Sequence, residues 1–387
     1  MIESKKIKTN QKISIMDNTL REGEQIPGVT LTQPEKLEIM KLLDLVGIDT
    51  IELGFPAISE KEFETITKLA RVETRAQKNA LARTTIDDID LVCRTGVEGI
   101  TFFMPVSDIL LSTKSVFANK SRPALIEMAT RAVDYAKKKN LHVAFGAEDM
   151  TRTDSEFIIE LYSAIIESGA DLVGIVDTVG VLTPIETYNL VVLLKNEINT
   201  ITITTHLHND HGMATGNTIA AVEAGVDEIQ ASVNGFGERA GGPALQEVVM
   251  ALKFLLKYDL QYINTTHLKE LSVKVQELTG ITTSPLSPVT GEFAFTHESG
   301  LHVSSVVKNS ASYEAFPPEW AGMQRKLMIG KGTGKKALSY IFKNELGLKH
   351  IDEKPFFMTL DYIKTLERSI DITEAYMYYE KQLAKQS

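Results

Sequence analysis

Hydrophobic residues along the chain follow two alternating patterns. Short apolar runs rich in β-branched residues alternate with longer segments in which apolar residues recur every three or four positions. The first pattern is typical of buried strands and the second of amphipathic helices. Strands are predicted at residues 13–20, 50–55, 73–79, 99–104, 142–146, 172–177, 203–208 and 228–233. Helices are predicted at residues 34–46, 60–69, 86–94, 123–138, 155–168, 184–196, 216–224 and 245–255.

This alternation predicts a parallel sheet whose strands are connected by helices. Eight strand and helix pairs within about 260 residues match the size of one (β/α)8 barrel, the TIM-barrel fold. A doubly wound open sheet has the same elements, but it needs a glycine-rich phosphate turn after its first strand. Residues 18–23, NTLREG, are not such a turn. The predicted fold class is therefore α/β, a TIM barrel.

The alternation of strands and helices stops after about Asp259. Residues 281–288, ITTSPLSP, are rich in Thr, Ser and Pro and indicate a linker, which a mostly helical tail follows. We place a domain boundary near residue 275. Residues 1–275 are expected to form the barrel that carries the catalytic site. Residues 276–387 are expected to form a linker, a catalytic loop and a smaller, mostly helical C-terminal lid subdomain.

Composition excludes several classes of protein. The chain has 387 residues, of which 43% are hydrophobic, enough for a barrel core and a second unit. Its formal net charge of −10 disfavours nucleic acid and anionic membranes as partners. The single cysteine, Cys93, indicates a reducing compartment, and residues 1–11 lack the apolar segment of a signal peptide. No stretch is long and apolar enough to span a membrane, so we expect a cytoplasmic enzyme.

Polar residues collect where the predicted strands end, which is the catalytic face of a (β/α)8 barrel. His206 and His208 are two residues apart on one strand, so both imidazoles face the same side. With Glu22 or Asp17 at the end of the first strand, they predict a three-ligand site for a divalent metal. The alternative is a pair of buried structural histidines without a metal.

Arg21 lies beside Glu22, where a guanidinium can bind a substrate carboxylate or a developing enolate through paired hydrogen bonds. The alternative is a structural ion pair with Glu24 or Glu148. Glu148 and Thr178 follow the fifth and sixth predicted strands, where they are candidates for contacts to polar groups of a substrate.

Two segments beyond the barrel also carry candidate chemistry. Residues 297–302, HESGLH, place two histidines in a predicted loop, where one can act as a general base or both can be ordinary loop residues. Residues 330–336, GKGTGKK, resemble a phosphate loop, but the spacing is one residue short of the Walker pattern and no barrel strand precedes it. We interpret this run as a flexible basic turn, near the phosphates of a ligand.

Seven stretches resemble the 2-isopropylmalate synthase and homocitrate synthase family, barrel enzymes that carry out Claisen-type condensations. They are DNTLREGEQIPGV (17–29), IELGFPA (51–57), AEDMTR (147–152), DTVGVLTP (177–184), HLHNDHGMATGNTIAAVEAG (206–225), NGFGERAGG (234–242) and HESGLHVSSVVKNSASYE (297–314). The resemblance implies condensation of acetyl-CoA with a 2-oxo acid at a divalent metal. The products would be CoA and a 2-hydroxy-2-alkyl dicarboxylic or tricarboxylic acid.

Carried over by position, the resemblance also implies a set of site residues. The metal ligands would be Glu22, His206 and His208, the substrate-binding residues Arg21, Gln25, Glu52 and Thr178, and the catalytic residues Arg21, Glu148, Glu238, His302 and Tyr313. In the family, the loop histidine and the glutamate of the Gly-Glu-Arg turn are proposed to form a proton-transfer pair. The loop reaches the barrel of a partner subunit, which implies a domain-exchanged homodimer.

Departures from the family motifs leave the substrate open. Many members have Asp and Asn where this chain has Glu22 and Gly242. Lysine-pathway homocitrate synthases share the Glu, but they hold the distal carboxylate of 2-oxoglutarate with an arginine where this chain has Ala144. The length resembles the short homocitrate synthases without a leucine-regulatory domain, so no leucine feedback is expected.

We rank homocitrate synthesis from 2-oxoglutarate first and 2-isopropylmalate synthesis from 2-oxoisovalerate second. Pyruvate, oxaloacetate or a phosphonate analogue, giving citramalate, citrate or a related product, comes third. The metal is open among Zn²⁺, Mn²⁺, Mg²⁺, Co²⁺ and Fe²⁺. Two other classes are a metal-dependent barrel lyase, which usually has Leu where this chain has Glu24, and a non-catalytic paralogue.

Overall fold

A computed structural model describes residues 12–118, 120–198 and 202–385. The chain divides into two compact units, which we call the barrel unit and the C-terminal unit. The barrel unit ends at Thr282 and the C-terminal unit begins at Thr283. The division lies within the stretch rich in Thr, Ser and Pro.

Eight strands of the barrel unit form one parallel sheet. They are β1 (Ser14–Asp17), β2 (Thr50–Glu52), β3 (Gln77–Arg83), β4 (Gly99–Pro105), β5 (His142–Glu148), β6 (Leu172–Asp177), β7 (Thr202–Leu207) and β8 (Glu228–Ala231). Their hydrogen-bonded order is β7-β6-β5-β4-β3-β2-β1-β8, so each strand from β1 to β6 pairs with the next in sequence and β8 pairs with β1. The predicted TIM barrel is confirmed.

The barrel closes between β7 and β8, and no ladder of backbone hydrogen bonds joins these two strands within the described ranges. Beside them, the backbone N–H of Asp227 donates to the carbonyl of Ile203 at 3.0 Å. Gln230 Nε2 lies 3.5 Å from Thr204 Oγ1. We call this weakly paired junction the β7–β8 seam.

Eleven helices are described in the barrel unit. They are α1 (Thr19–Glu22), α2 (Gln33–Val46), α3 (Glu60–Ala70), α4 (Ile86–Thr95), α5 (Asp108–Thr113), α6 (Arg122–Lys138), α7 (Ser155–Glu167), α8 (Pro184–Glu197), α9 (Ala214–Ala224), α10 (Leu245–Phe254) and α11 (Leu268–Thr279). Several begin at an N-cap that their sequence provides. Thr183 and Glu186, for example, form a capping box at α8.

Several predicted strands have different bounds: β2 ends at Glu52 rather than residue 55, and β8 ends at Ala231 rather than residue 233. For two others, the first and the third, local side chains redirect the backbone. The first ends at Asp17 rather than near residue 20, since the Asp17 carboxylate accepts hydrogen bonds from Thr19 N at 2.9 Å and Thr19 Oγ1 at 3.0 Å. The third begins at Gln77 rather than residue 73. The carboxylate of Asp44 accepts from the backbone N–H groups of Arg75 and Ala76, which holds the preceding residues in a loop.

Side-chain alternation along the strands separates the outer core from an internal cavity. On β4, Ile100, Phe102 and Met104 are fully buried. The alternate residues Thr101 and Phe103 line the cavity, and Phe102 also borders it. Because successive side chains of a strand point to opposite faces, the inner positions of each strand are those that a ligand inside the barrel can contact.

The C-terminal unit is mostly helical, as predicted. It contains a parallel pair of short strands, β9 (Thr296–His297) and β10 (Lys326–Leu327). Its helices are α12 (Gly300–Val306), α13 (Lys335–Tyr340), α14 (Glu353–Thr365) and α15 (Ile372–Ala384). They share a core that includes Phe342, Ile363 and Tyr379. The run at 330–336 forms a turn that leads into α13.

Candidate active site

A cavity of about 360 Å³ lies inside the barrel unit at the C-terminal ends of the strands. Eight of the nine site residues predicted in this unit line it: Arg21, Glu22, Gln25, Glu148, Thr178, His206, His208 and Glu238. The ninth, Glu52, is fully buried and is not among the residues that line the cavity. The strand-end pattern of the sequence therefore identifies one continuous site.

Glu22, His206 and His208 offer ligand atoms that lie within 4.8 Å of one another. Burial raises the pKa of Glu22, but Arg21 and the two histidines outweigh it and lower that pKa to about 2. Burial lowers the pKa of His206 to about 4 and lowers the pKa of His208 as well. At neutral pH the cluster therefore holds one carboxylate and two neutral imidazoles, which suit a divalent cation.

The orientation of the imidazoles also fits a metal. His206 Nδ1 lies 3.0 Å from Gln230 Oε1 and 3.4 Å from Asn18 Nδ2; a proton on Nδ1 that is donated to Gln230 would leave the Nε2 lone pair free. That Nε2 is 3.5 Å from Glu22 Oε1. His208 Nδ1 is buried and has no hydrogen-bond partner among the described residues. Of the three residues, His208 therefore offers a buried nitrogen that the described residues leave unsatisfied.

Arg21 forms ion pairs with Glu22 and with the fully buried Glu52. Burial opposes its charged form, but the two carboxylates outweigh burial and raise the pKa of Arg21. The alternative partners considered from sequence have other contacts, since Glu24 pairs with Lys36 and Glu148 pairs with Lys114. Glu52 thus holds the guanidinium at the cavity wall.

Glu148, at the end of β5, has a cationic partner that the sequence did not indicate. Lys114 Nζ lies 2.6 Å from Glu148 Oε2 and 2.9 Å from Oε1. Lys114 directly follows α5, a short helix that no periodic pattern predicted. Gln230, the next-to-last residue of β8, was also missed from the sequence. Alternation along the strand places its side chain on the inner face, where it lines the cavity.

The turn that carries Glu238 and Arg239 is fixed to the site from both sides. The backbone N–H of Glu238 donates to Glu22 Oε2 at 3.4 Å. Arg239 pairs with Asp210 at 2.8 Å and donates to the carbonyl of Thr178 at 2.6 Å. Gly241 has a φ of 79°, and a Cβ there would lie 1.8 Å from the carbonyl oxygen of Gly235, so this tight turn requires glycine.

The other two predicted catalytic residues lie in the C-terminal unit, where they contact each other. The rings of His302 and Tyr313 stack with centroids 3.9 Å apart. Glu314, next to Tyr313, accepts two hydrogen bonds from Arg325 at 2.6 Å each. His297, the other loop histidine, lies 3.1 Å from the same carboxylate and so has a structural contact.

A sequence family described as HMGL-like matches residues 12–275. A second family, described as the homocitrate synthase post-HMGL domain, matches residues 289–369. The HMG-CoA lyase of Bacillus subtilis has a similar fold, with a TM-score of 0.64 and 19% identity over 74% of this chain and 99% of the lyase. The chain belongs to the HMGL-like family.

Relatives in sequence define the group within that family. The chain is 43% identical to a probable 2-isopropylmalate synthase of Methanopyrus kandleri, over 89% of this chain and 68% of the relative. It is 42% identical to the homocitrate synthase AksA of the same organism, over 94% of this chain and 90% of the relative. The resemblance to the 2-isopropylmalate synthase and homocitrate synthase family is confirmed. None of the described helices is long and apolar enough to cross a membrane.

Proposed function

We propose that this enzyme condenses acetyl-CoA with a 2-oxo acid and releases CoA. The observation that carries the proposal is the cluster of Glu22, His206 and His208 beside Arg21 on the wall of the cavity. A divalent cation on these three residues would supply Lewis acidity toward the ketone of the oxo acid. Matches to synthase relatives along both units support this chemistry over that of a lyase.

The chain's own residues would bind the substrate and move its protons. Arg21, held by Glu52, would bind the oxo-acid carboxylate, and Gln25, Glu148 and Thr178 would contact its other polar groups. His302, with Glu238 and Tyr313, would remove a proton from the acetyl methyl group. The enolate carbon would then bond to the ketone carbon, the new alkoxide would take up a proton, and water would cleave the thioester to release CoA.

The same resemblance supports a homodimer in which the loop with His302 serves the barrel of the partner subunit. We also propose a cytoplasmic location, because the single cysteine and the acidic charge suit a reducing, soluble environment. The metal remains one of Zn²⁺, Mn²⁺, Mg²⁺, Co²⁺ or Fe²⁺, since two imidazoles and a carboxylate bind each of them.

CoA-thiol release tests the proposal, with acetyl-CoA and a panel of 2-oxo acids, with and without chelator. We expect release that requires an oxo acid and stops when the metal is removed. Glu22→Ala should lose bound metal and activity together, whereas Glu148→Gln, outside the cluster, should keep the metal. A protein that binds no divalent metal, or that only cleaves a 3-hydroxy-3-methylacyl thioester into acetyl-CoA and a ketone without releasing thiol, would contradict the proposal.

A further inference from the structure

One wall of the cavity, formed by inner positions of β3 to β6, is apolar except for Thr101 and for Glu148 at the end of β5. We call it the alkyl wall; its residues are Leu81, Phe103, Ala144, Gly146, Gly174 and Val176. The metal cluster, by contrast, is formed by side chains from β7 and from the segment after β1. A 2-oxo acid bound through its keto and carboxylate groups at the cluster would therefore have its remaining chain available to contact this wall.

Gly146 and Gly174 shape the alkyl wall, but of the two only Gly174 leaves room for an added methyl group, because a Cβ on Gly146 would lie 3.1 Å from Val176 Cγ2. Gly146 and Gly174 are direct partners in the β5–β6 register, so two neighbouring strands lack a side chain at the same level. A Cβ on Gly174 would lie 3.5 Å from Val176 Cγ2 and 3.6 Å from Thr204 Cγ2. That is ordinary packing distance, so the space beside Gly174 has the dimensions of a small alkyl group.

The cations at the cavity each have an acidic partner, and Arg21 is also the residue proposed to bind the first carboxylate of the oxo acid. Arg21 is bound by Glu22 and Glu52, and Arg239 by Asp210. Lys114 contacts Glu148, which lines the cavity, and its ammonium group donates to both oxygens of that carboxylate. A second carboxylate on the substrate would thus meet no unpaired cation among the described residues of this site, and it would face Glu148 and Glu238.

Thr101 supplies a neutral polar group near the alkyl wall. Its hydroxyl is buried and has no hydrogen-bond partner among the described residues. One neutral hydroxyl can satisfy a water or a weakly polar group, but it offsets little of the cost of burying a carboxylate. The wall therefore favours a neutral chain.

We infer that the oxo acid used by this enzyme carries an uncharged alkyl chain, which packs on the alkyl wall beside Gly174. The inference rests on the proposed condensation and narrows its substrate class. It reverses the order derived from sequence, because 2-oxoglutarate now follows acids such as 2-oxoisovalerate. The chain length and the Glu22 motif favoured 2-oxoglutarate in the sequence, but neither determines which side chains line the alkyl wall.

A matched pair of substrates tests the role of charge. In 5-methyl-2-oxohexanoate a neutral isopropyl group replaces the distal carboxylate of 2-oxoglutarate, so the two acids differ in charge and little in size. We expect kcat/KM for thiol release to be higher for the neutral acid by about tenfold or more, as expected when a buried charge lacks a partner. Equal or better use of 2-oxoglutarate would overturn the inference. No thiol release with any acid would instead reject the condensation itself.

A pair of glycine variants tests the location. Gly174→Ala should lower kcat/KM for 2-oxoisovalerate by about tenfold relative to pyruvate, because the new methyl group occupies the space of the longer chain. Gly216→Ala is the control, because Gly216 lies on α9, outside the cavity. Its new Cβ would contact Pro184, at 3.6 Å. An equal loss for both acids in Gly174→Ala would show that the chain does not pack there.

Discussion

Buried acidic side chains on the inner face of the barrel determine how this protein responds to pH. Glu228 is buried at the start of β8. Burial raises the pKa of its carboxyl group to about 7, although a hydrogen bond with Thr204 opposes the shift. The folded protein therefore keeps a proton on Glu228 at pH values where the unfolded chain has lost it.

A folded-state pKa above the unfolded value makes the neutral carboxyl group stabilising at low pH. That contribution is complete below the unfolded pKa, near 4.5, and is lost as the pH rises through about 7. Glu228→Gln should remove this loss, which amounts to about 3 kcal/mol. Urea unfolding at pH 5 and pH 8 measures it, and a wild type and variant with parallel pH dependence would contradict the assignment.

At the residue scale, the sequence identifies site residues when their spacing along one strand or helix is enough to place their side chains on the same face. His206 and His208 are an example, since any strand places residues two apart on one face. The partners of those residues depend on contacts between distant parts of the chain. Arg21 pairs with Glu52, 31 positions away, and Glu148 with Lys114, 34 positions away. No periodic pattern encodes such a pairing.

At the scale of elements, a buried lysine joins α2 and α3 to the loop that follows α1. The side chain of Lys36 is fully buried, and its Nζ lies 2.6 Å from Glu24 Oε2 and 2.7 Å from Glu62 Oε1. Glu24 also accepts a hydrogen bond from the backbone N–H of Leu31. This contact thus fixes the segment that carries Arg21 and Glu22.

Removing the lysine leaves two carboxylates without their common partner. Lys36→Met should lower the free energy of unfolding by about 3–5 kcal/mol, as for other broken buried ion pairs. Lys138→Met is a suitable control, because Lys138 is exposed and pairs with Asp134 on the surface of α6, where loss costs at most about 1 kcal/mol. Chemical denaturation compares the two, and equal losses would show that the Lys36 contact contributes no more than a surface pair.

The elements themselves were predicted well where periodicity and caps agree. Predicted helices such as 60–69 and 86–94 differ from α3 and α4 by one residue at an end. Errors arose where a side chain bonds to backbone and ends or delays a strand, as Asp17 does for β1 and Asp44 for β3. The helix α5 was missed because its six residues are too few to show a period.

At the scale of the whole molecule, the predicted site residues are divided between two units. The metal cluster belongs to the barrel unit, and His302 belongs to the C-terminal unit. If the loop acts on the partner's barrel, a subunit with a defective barrel can still supply a competent loop to its partner. Mixed dimers therefore distinguish exchange between subunits from action within one chain.

We expect His206→Ala and His302→Ala to be inactive alone and to regain activity when they are unfolded, mixed and refolded together. With random pairing, half of the dimers are mixed and each has one intact site, so roughly a quarter of wild-type activity should return. Thiol release after refolding measures it. A mixture that stays inactive, although native gels show mixed dimers, would place the loop over its own barrel.

A metal bound at the cluster would also affect the stability of the β7–β8 seam. The two histidines of the cluster lie on the β7 side of this junction, and Glu22 follows β1, the partner of β8 on the other side. A bound cation would thus cross-link two edges that backbone hydrogen bonds scarcely connect. Amide protons of β7 and β8 should exchange with deuterated solvent markedly faster in the metal-free protein than in the loaded protein, while those between β4 and β5 stay equally protected.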